Sequence, residues 1–186
     1  MDLKIIPYII DGKENTELAG LDLINAKQAI KYMKEESKTD RLAENYNKWL
    51  KLETMALYCV VWDNKTNLPV MASGAQHMSK NCCRLFSRYY LFESFRTKHS
   101  NSLYAKVDNF KTDMYMLDAL KDKYKLFFWS RDKGTGFFKR IKSAREDIFK
   151  DWTVHDNLVE ILWKDNIQGI IYTGDINYIK ELAFNK

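Results

Sequence analysis

The rhythm of apolar and polar positions changes several times along the chain, and each change marks an element. Leu3 to Ile10 is apolar and β-branched and closes on Asp11-Gly12, which predicts a strand ending in a tight turn. Apolar positions then recur at Ala26, Ala29, Ile30 and Met33, predicting a helix from Ala26 to Glu36 with Asn25 as its cap. Leu42, Tyr46, Trp49 and Leu50 keep a helical step and predict a second helix. Ala56 to Trp62 is a continuous apolar run, short and rich in β-formers, as in a central strand buried on both faces. A polar turn at Asp63 to Asn67 leads into a strand from Leu68 to His77, and a third follows at Cys83 to Phe92. Three strands with short polar connections make an antiparallel meander.

Beyond Arg96 the period lengthens again. Leu103, Val107, Phe110, Met114, Leu117 and Tyr124 step by three, four or seven, the spacing of a long amphipathic helix. Leu126 to Ser130 predicts a short buried strand. Gly134 and Gly136 open a helix that turns Phe137, Ile141, Ala144 and Ile148 inward. Trp152 to Trp163 and Gln168 to Thr173 are the last two strands, before a short C-terminal helix. The fold class is therefore α/β in the α+β sense: a mixed, mostly antiparallel sheet flanked by helices. With two Pro, seven Gly and no linker-like stretch, residues 1–186 read as one domain.

Composition narrows the function classes. Hydrophobic residues at 46% and charged residues at 30% exclude a disordered chain, and no apolar run approaches the ~20 residues of a membrane span. The first residues lack a basic stretch followed by an apolar one, so a cytoplasmic protein is expected. Cys59, Cys82 and Cys83 are odd in number with two adjacent, which suits neither a disulfide framework nor zinc-ligand spacing, and no metal is expected. Cys59 reads as a core residue; Cys82 or Cys83 as a nucleophile is the sharper alternative. The net charge of +5 comes from lysines dispersed among 25 acidic residues, the pattern of a solvated surface. Two clusters stand out from it. Arg131, Lys133, Lys139, Arg140, Lys142 and Arg145 crowd around the two glycines, a charge run that reads as a solvated face or, beside those glycines, as a phosphate site. Arg84 and Arg88 share one side of a strand with Phe86 and Tyr90, a stripe that suits an anionic cofactor or a nucleic acid, or equally a face covered by Asp108, Asp113 and Asp118.

The junction Arg84-Leu85-Phe86-Ser87-Arg88-Tyr89-Tyr90-Leu91-Phe92-Glu93-Ser94-Phe95-Arg96 carries a resemblance. A strand of alternating Arg and aromatics ending in a Glu-x-Phe-Arg corner resembles the segment before the cofactor loop in GNAT-type N-acyltransferases. The order of elements resembles that family along nearly the whole chain. The resemblance implies an acyl-CoA cofactor, acetyl-CoA or a longer one, with its pyrophosphate held at a helix N-terminus by backbone N–H groups. The matching window is Arg96, Thr97, Lys98, His99, Ser100 and Asn101: the Arg of the motif is present, and its two glycines are replaced by His99 and Asn101. The sheet is expected to splay between the strand at Cys83 to Phe92 and the strand at Leu126 to Ser130, opening a cleft at the N-terminus of the Leu103 helix.

An acyltransferase working on an amine needs a base for the attacking ammonium. His77 and Glu93 are titratable, end adjacent meander strands and are the candidates for catalysis; as plain strand-end residues they would only be solvated. His155 lies in a polar stretch that reads as a turn. Where the family places a Tyr acid this chain has Phe137 and Phe138, and Tyr172 on the last strand is the remaining phenol. The expected function is acyl transfer from acyl-CoA to a small-molecule or peptide amine. The alternative is a non-catalytic module of similar fold that binds nucleic acid or a protein.

Overall fold

A computed structural model describes residues 2–36, 51–95, 111–112, 115–116, 118–124, 126–130, 152–154, 158–162 and 168–172. From 126 onward, and at 86–89, the description is of backbone. The class is α+β with a mostly antiparallel sheet. The strands are β1 (Leu3–Ile10), β2 (Lys13–Glu14), β3 (Met55–Asp63), β4 (Leu68–His77), β5 (Cys82–Leu91), β6 (Leu126–Ser130), β7 (Trp152–Val154), β8 (Leu158–Leu162) and β9 (Gln168–Tyr172), with helix α1 at Gly20–Glu36. The chain divides into two compact units: residues 1–76 with 86–116, and residues 77–85 with 117–186.

In the first unit, β1 pairs antiparallel with β2 on one side and β3 on the other, and β3 pairs antiparallel with β4. The β1–β2 turn fulfils the Asp11-Gly12 signal. Both residues have positive φ, 47° and 77°, as a hairpin turn of matching twist requires. Their N–H groups donate to Ala56 O and Met55 O at 2.9 and 2.8 Å. A Cβ on Gly12 would stand 2.5 Å from the Glu53 carbonyl oxygen, so only glycine fits there. At the other hairpin, Asp63 accepts from Lys65 N and the Thr66 hydroxyl, and Asn67 takes the positive φ of 53°.

Every residue of β3 is buried, as its unbroken apolar run predicts. One face packs Tyr58, Val60 and Trp62 with Ile6, Tyr8, Ala72, Tyr90 and Phe92 against Ala26, Ala29, Ile30 and Met33 of α1. On a second cluster Val61, Val70, Met71 and Phe95 meet. Each large side chain so buried contributes about 1.5–3 kcal/mol. The helix starts six residues earlier than the periodicity predicts, and Asn25 lies inside it, 4% exposed, rather than capping it. Leu21 and Ile24 explain the error: they sit in the first turns but point outward, 65% and 59% exposed, so no apolar stripe marks that stretch.

In the second unit, β6 runs parallel to β5 and to β9, and β9 pairs antiparallel with β8, which pairs antiparallel with β7. The single strand expected from Trp152 to Trp163 is thus two strands, β7 and β8. Backbone at 111–112 and 115–116, which belong to the first unit, and at 118–120 in the second is helical, with Thr112, Met116 and Leu120 buried. Of the expected apolar stripe, Leu103, Val107, Phe110, Met114 and Leu117 lie outside the described residues, and Tyr124 is buried. The helices expected at 42–50, at 134–148 and at the C-terminus lie outside the described residues. No described helix is long and apolar enough to cross a membrane.

Candidate functional site

The corner where β5 ends is built by three elements of the first unit. Phe92 N–H donates to Val70 O at 3.1 Å, and the Ser94 hydroxyl to Pro69 O at 3.4 Å, so the chain leaving β5 is tied to the start of β4. Residues 93–95 turn into helical backbone with Phe92 and Phe95 buried and Glu93 exposed. The third tie comes from α1. The Glu36 carboxylate, on the helix's last residue, accepts the Tyr90 hydroxyl at 2.5 Å and the Glu93 N–H at 3.2 Å. A charged acceptor on two donors is worth more than a neutral bond. Tyr90 is 6% exposed and packs edge-on against Phe92, ring centroids 5.1 Å apart, so the hydroxyl that meets Glu36 has little freedom. Glu93 is therefore held by its backbone while its side chain reaches solvent. Arg96, Thr97, Lys98, His99, Ser100 and Asn101 follow directly in the chain and lie outside the described residues.

His77 stands elsewhere. Antiparallel strands bring the end of one beside the start of the next, and here Met78 N–H meets Cys82 O at 3.1 Å. The Glu93 corner is tied to Val70, seven residues back along β4. That corner belongs to the first unit, and His77, the last residue of β4, to the second. His77 belongs to the second unit, where its Nδ1 lies 3.0 Å from the hydroxyl of buried Tyr124. The Lys123 ammonium sits 5.6 Å from the Tyr124 ring centroid.

The three thiols are free and buried. Burial pushes Cys82 up to about 12 and pushes Cys59 and Cys83 up as well; for Cys83 the neighbouring Cys82 adds to the rise and Lys123 opposes it. Burial of this kind favours the protonated, unreactive form of a thiol. Among the described residues no group of three or more His, Cys, Asp or Glu side chains is arranged to hold a metal. Arg84 is half-buried at the start of β5, the side chain of Arg88 is not described, and the basic cluster at 131–145 and His155 lie outside the described residues. Tyr172 ends β9, with backbone partners Ser130 and Leu158.

Two residues of these sites escaped sequence reasoning. Glu36 entered only as the end of the predicted helix, and Tyr124 as one more position of an amphipathic stripe. Their partners are 54 and 47 residues away, and no local pattern reports contacts of that separation. In comparisons with known proteins the chain matches no family model, no curated protein and no solved structure.

Proposed function

We propose that the chain is an acyl-CoA-dependent N-acyltransferase of the GNAT type. The observation that carries this reading is the ladder between β5 and β6. Its pairs among the described residues are Cys82 with Leu126, Cys83 with Phe127 and Arg84 with Phe128, while β6 runs on to Ser130 and β5 to Leu91. That limit among the described pairs supports the expected splay between the two strands. In this reading a backbone N–H on β5 beyond those pairs stabilises the oxyanion of a thioester under attack.

In this reading the amine nitrogen attacks the thioester carbonyl, the C–N bond forms and the C–S bond breaks. The thiolate leaves as coenzyme A and takes up a proton. Glu93 accepts the proton of the incoming ammonium, since its corner ends the strand that supplies the oxyanion donor. The backbone of Lys98 to Asn101, with Arg96 and the hydroxyl of Ser100, is assigned to the pyrophosphate.

Titration of the purified protein with acetyl-CoA and longer acyl-CoAs by calorimetry tests the reading. Saturable binding is expected, and Arg96→Glu is expected to weaken it by about 1.5–3 kcal/mol, the range for a charged hydrogen bond. Unchanged affinity in that variant removes the assignment at its central residue. If no acyl-CoA binds, the reading falls and a binding module for nucleic acid or a protein takes its place.

A further inference from the structure

The tie between α1 and the end of β5 assigns a task to a residue that the sequence pattern passes over. Glu36 is the last residue of α1, and its carboxylate accepts both the Tyr90 hydroxyl at 2.5 Å and the Glu93 N–H at 3.2 Å. Its second oxygen lies 3.4 Å from the same N–H. Two donors that are close in the chain thus converge on one carboxylate delivered from an element more than fifty residues away. Tyr90 is locked by burial and by its edge-on contact with Phe92, and Phe92 is locked by its bond to Val70. Glu36 therefore fixes the backbone of Glu93 against a rigid strand, while the Glu93 side chain remains exposed. A general base needs its reach set to within a fraction of an ångström by groups that do not themselves react.

Resting on the acyltransferase reading, we propose that Glu36 is the positioning residue for the Glu93 base, acting with Tyr90. It touches no reacting atom; it sets where the base stands. Removing it is expected to lower turnover and leave acyl-CoA binding intact, because misplacing a catalytic group by about 1 Å costs on the order of 100-fold in rate.

The test follows thiol release from acetyl-CoA in the presence of a panel of primary amines, with Glu36→Gln, Tyr90→Phe and Glu93→Gln assayed beside the parent protein. Glu36→Gln keeps shape and one acceptor oxygen; Tyr90→Phe removes one hydroxyl and decides the matter alone if the first variant does not fold. The expected result is a kcat lowered about 10- to 100-fold in both, with the KM for acetyl-CoA unchanged, and a larger loss in Glu93→Gln. A merely structural tie would move thermal stability and KM without that split. Full kcat in Glu36→Gln and Tyr90→Phe, with Glu93→Gln inactive, overturns the positioning role and leaves the reading standing. Full turnover in Glu93→Gln overturns the positioning role together with the Glu93 base and leaves acyl transfer standing; no thiol release from the parent protein with any amine overturns both the positioning role and the acyltransferase reading.

Discussion

Tyr8 shows how a single buried group sets a pH limit. Its hydroxyl donates to Glu14 Oε1 at 2.6 Å, and burial first, then the Glu14 bond and charge, push its ionisation well above the ordinary value near 10. The folded state thus favours the neutral phenol. Below pH ~10 both states are neutral and the preference is fully present; above it the unfolded chain ionises first and stability falls as pH rises. Buried Cys82, pushed up to about 12, acts in the same direction from a lower starting pH. Tyr8→Phe is expected to cost about 1 kcal/mol at neutral pH and to flatten the alkaline loss, read from urea midpoints at pH 8 to 11. An equally steep alkaline loss in the variant would place the titrating group elsewhere. The thiols supply a separate check. Under native conditions at pH 7.5, iodoacetamide should label Cys59, Cys82 and Cys83 no faster than the protein opens, and in denaturant all three at once. Rapid native labelling of Cys82 or Cys83, followed by mass, would restore a reactive thiol.

At the scale of elements, β3 and its hairpin partner β4 hold the first unit's core. Trp62 is 1% exposed, and Trp62→Ala is expected to cost about 3–5 kcal/mol by chemical denaturation, the range for an aromatic removed from a well-packed core. Gly74 tests packing in the opposite sense. A Cβ there would stand 2.7 Å from the Tyr58 ring and 2.9 Å from Met55 Sδ. Gly74→Ala should therefore destabilise by about 1–3 kcal/mol, although alanine is otherwise the better residue for an extended backbone. A neutral or stabilising result would mean that Tyr58 and Met55 move aside without cost. The strands were readable in advance because a run such as 56–62 has no other stable use: a helix would expose half of it. The start of α1 was not, because Leu21 and Ile24 break the stripe that periodicity detects. The short strand β2 was missed for a related reason. Lys13 and Glu14 carry no strand signal of their own and pair because the turn at Asp11-Gly12 places them against Ile10 and Ile9.

For the whole molecule, the net charge of +5 and a sequence pI near 8.9 bear on the alternative function. Dispersed lysines interleaved with acids attract a polyanion without shaping a groove for it. A fluorescent single-stranded RNA is therefore expected to bind weakly in low salt and to be released by about 0.2 M salt, since such binding is driven by counterion release. Retention at that salt would favour a nucleic-acid module over an acyltransferase. The sequence by itself determined the longer strands, the order of the meander, the Asp11-Gly12 turn and the burial of β3, because these follow from side-chain periodicity and local backbone preference. It also carried, through the residues around Arg96, the resemblance on which the proposed function rests. Only the tertiary structure decided what each candidate is tied to: His77 to Tyr124, and the Glu93 corner to Val70 and Glu36. The corner is in the first unit and His77 in the second. The contacts of Glu36 with Tyr90 and Glu93, and of His77 with Tyr124, join positions about fifty residues apart. No periodicity encodes them; they exist because packing brings α1 to the end of β5 and Tyr124 to the end of β4.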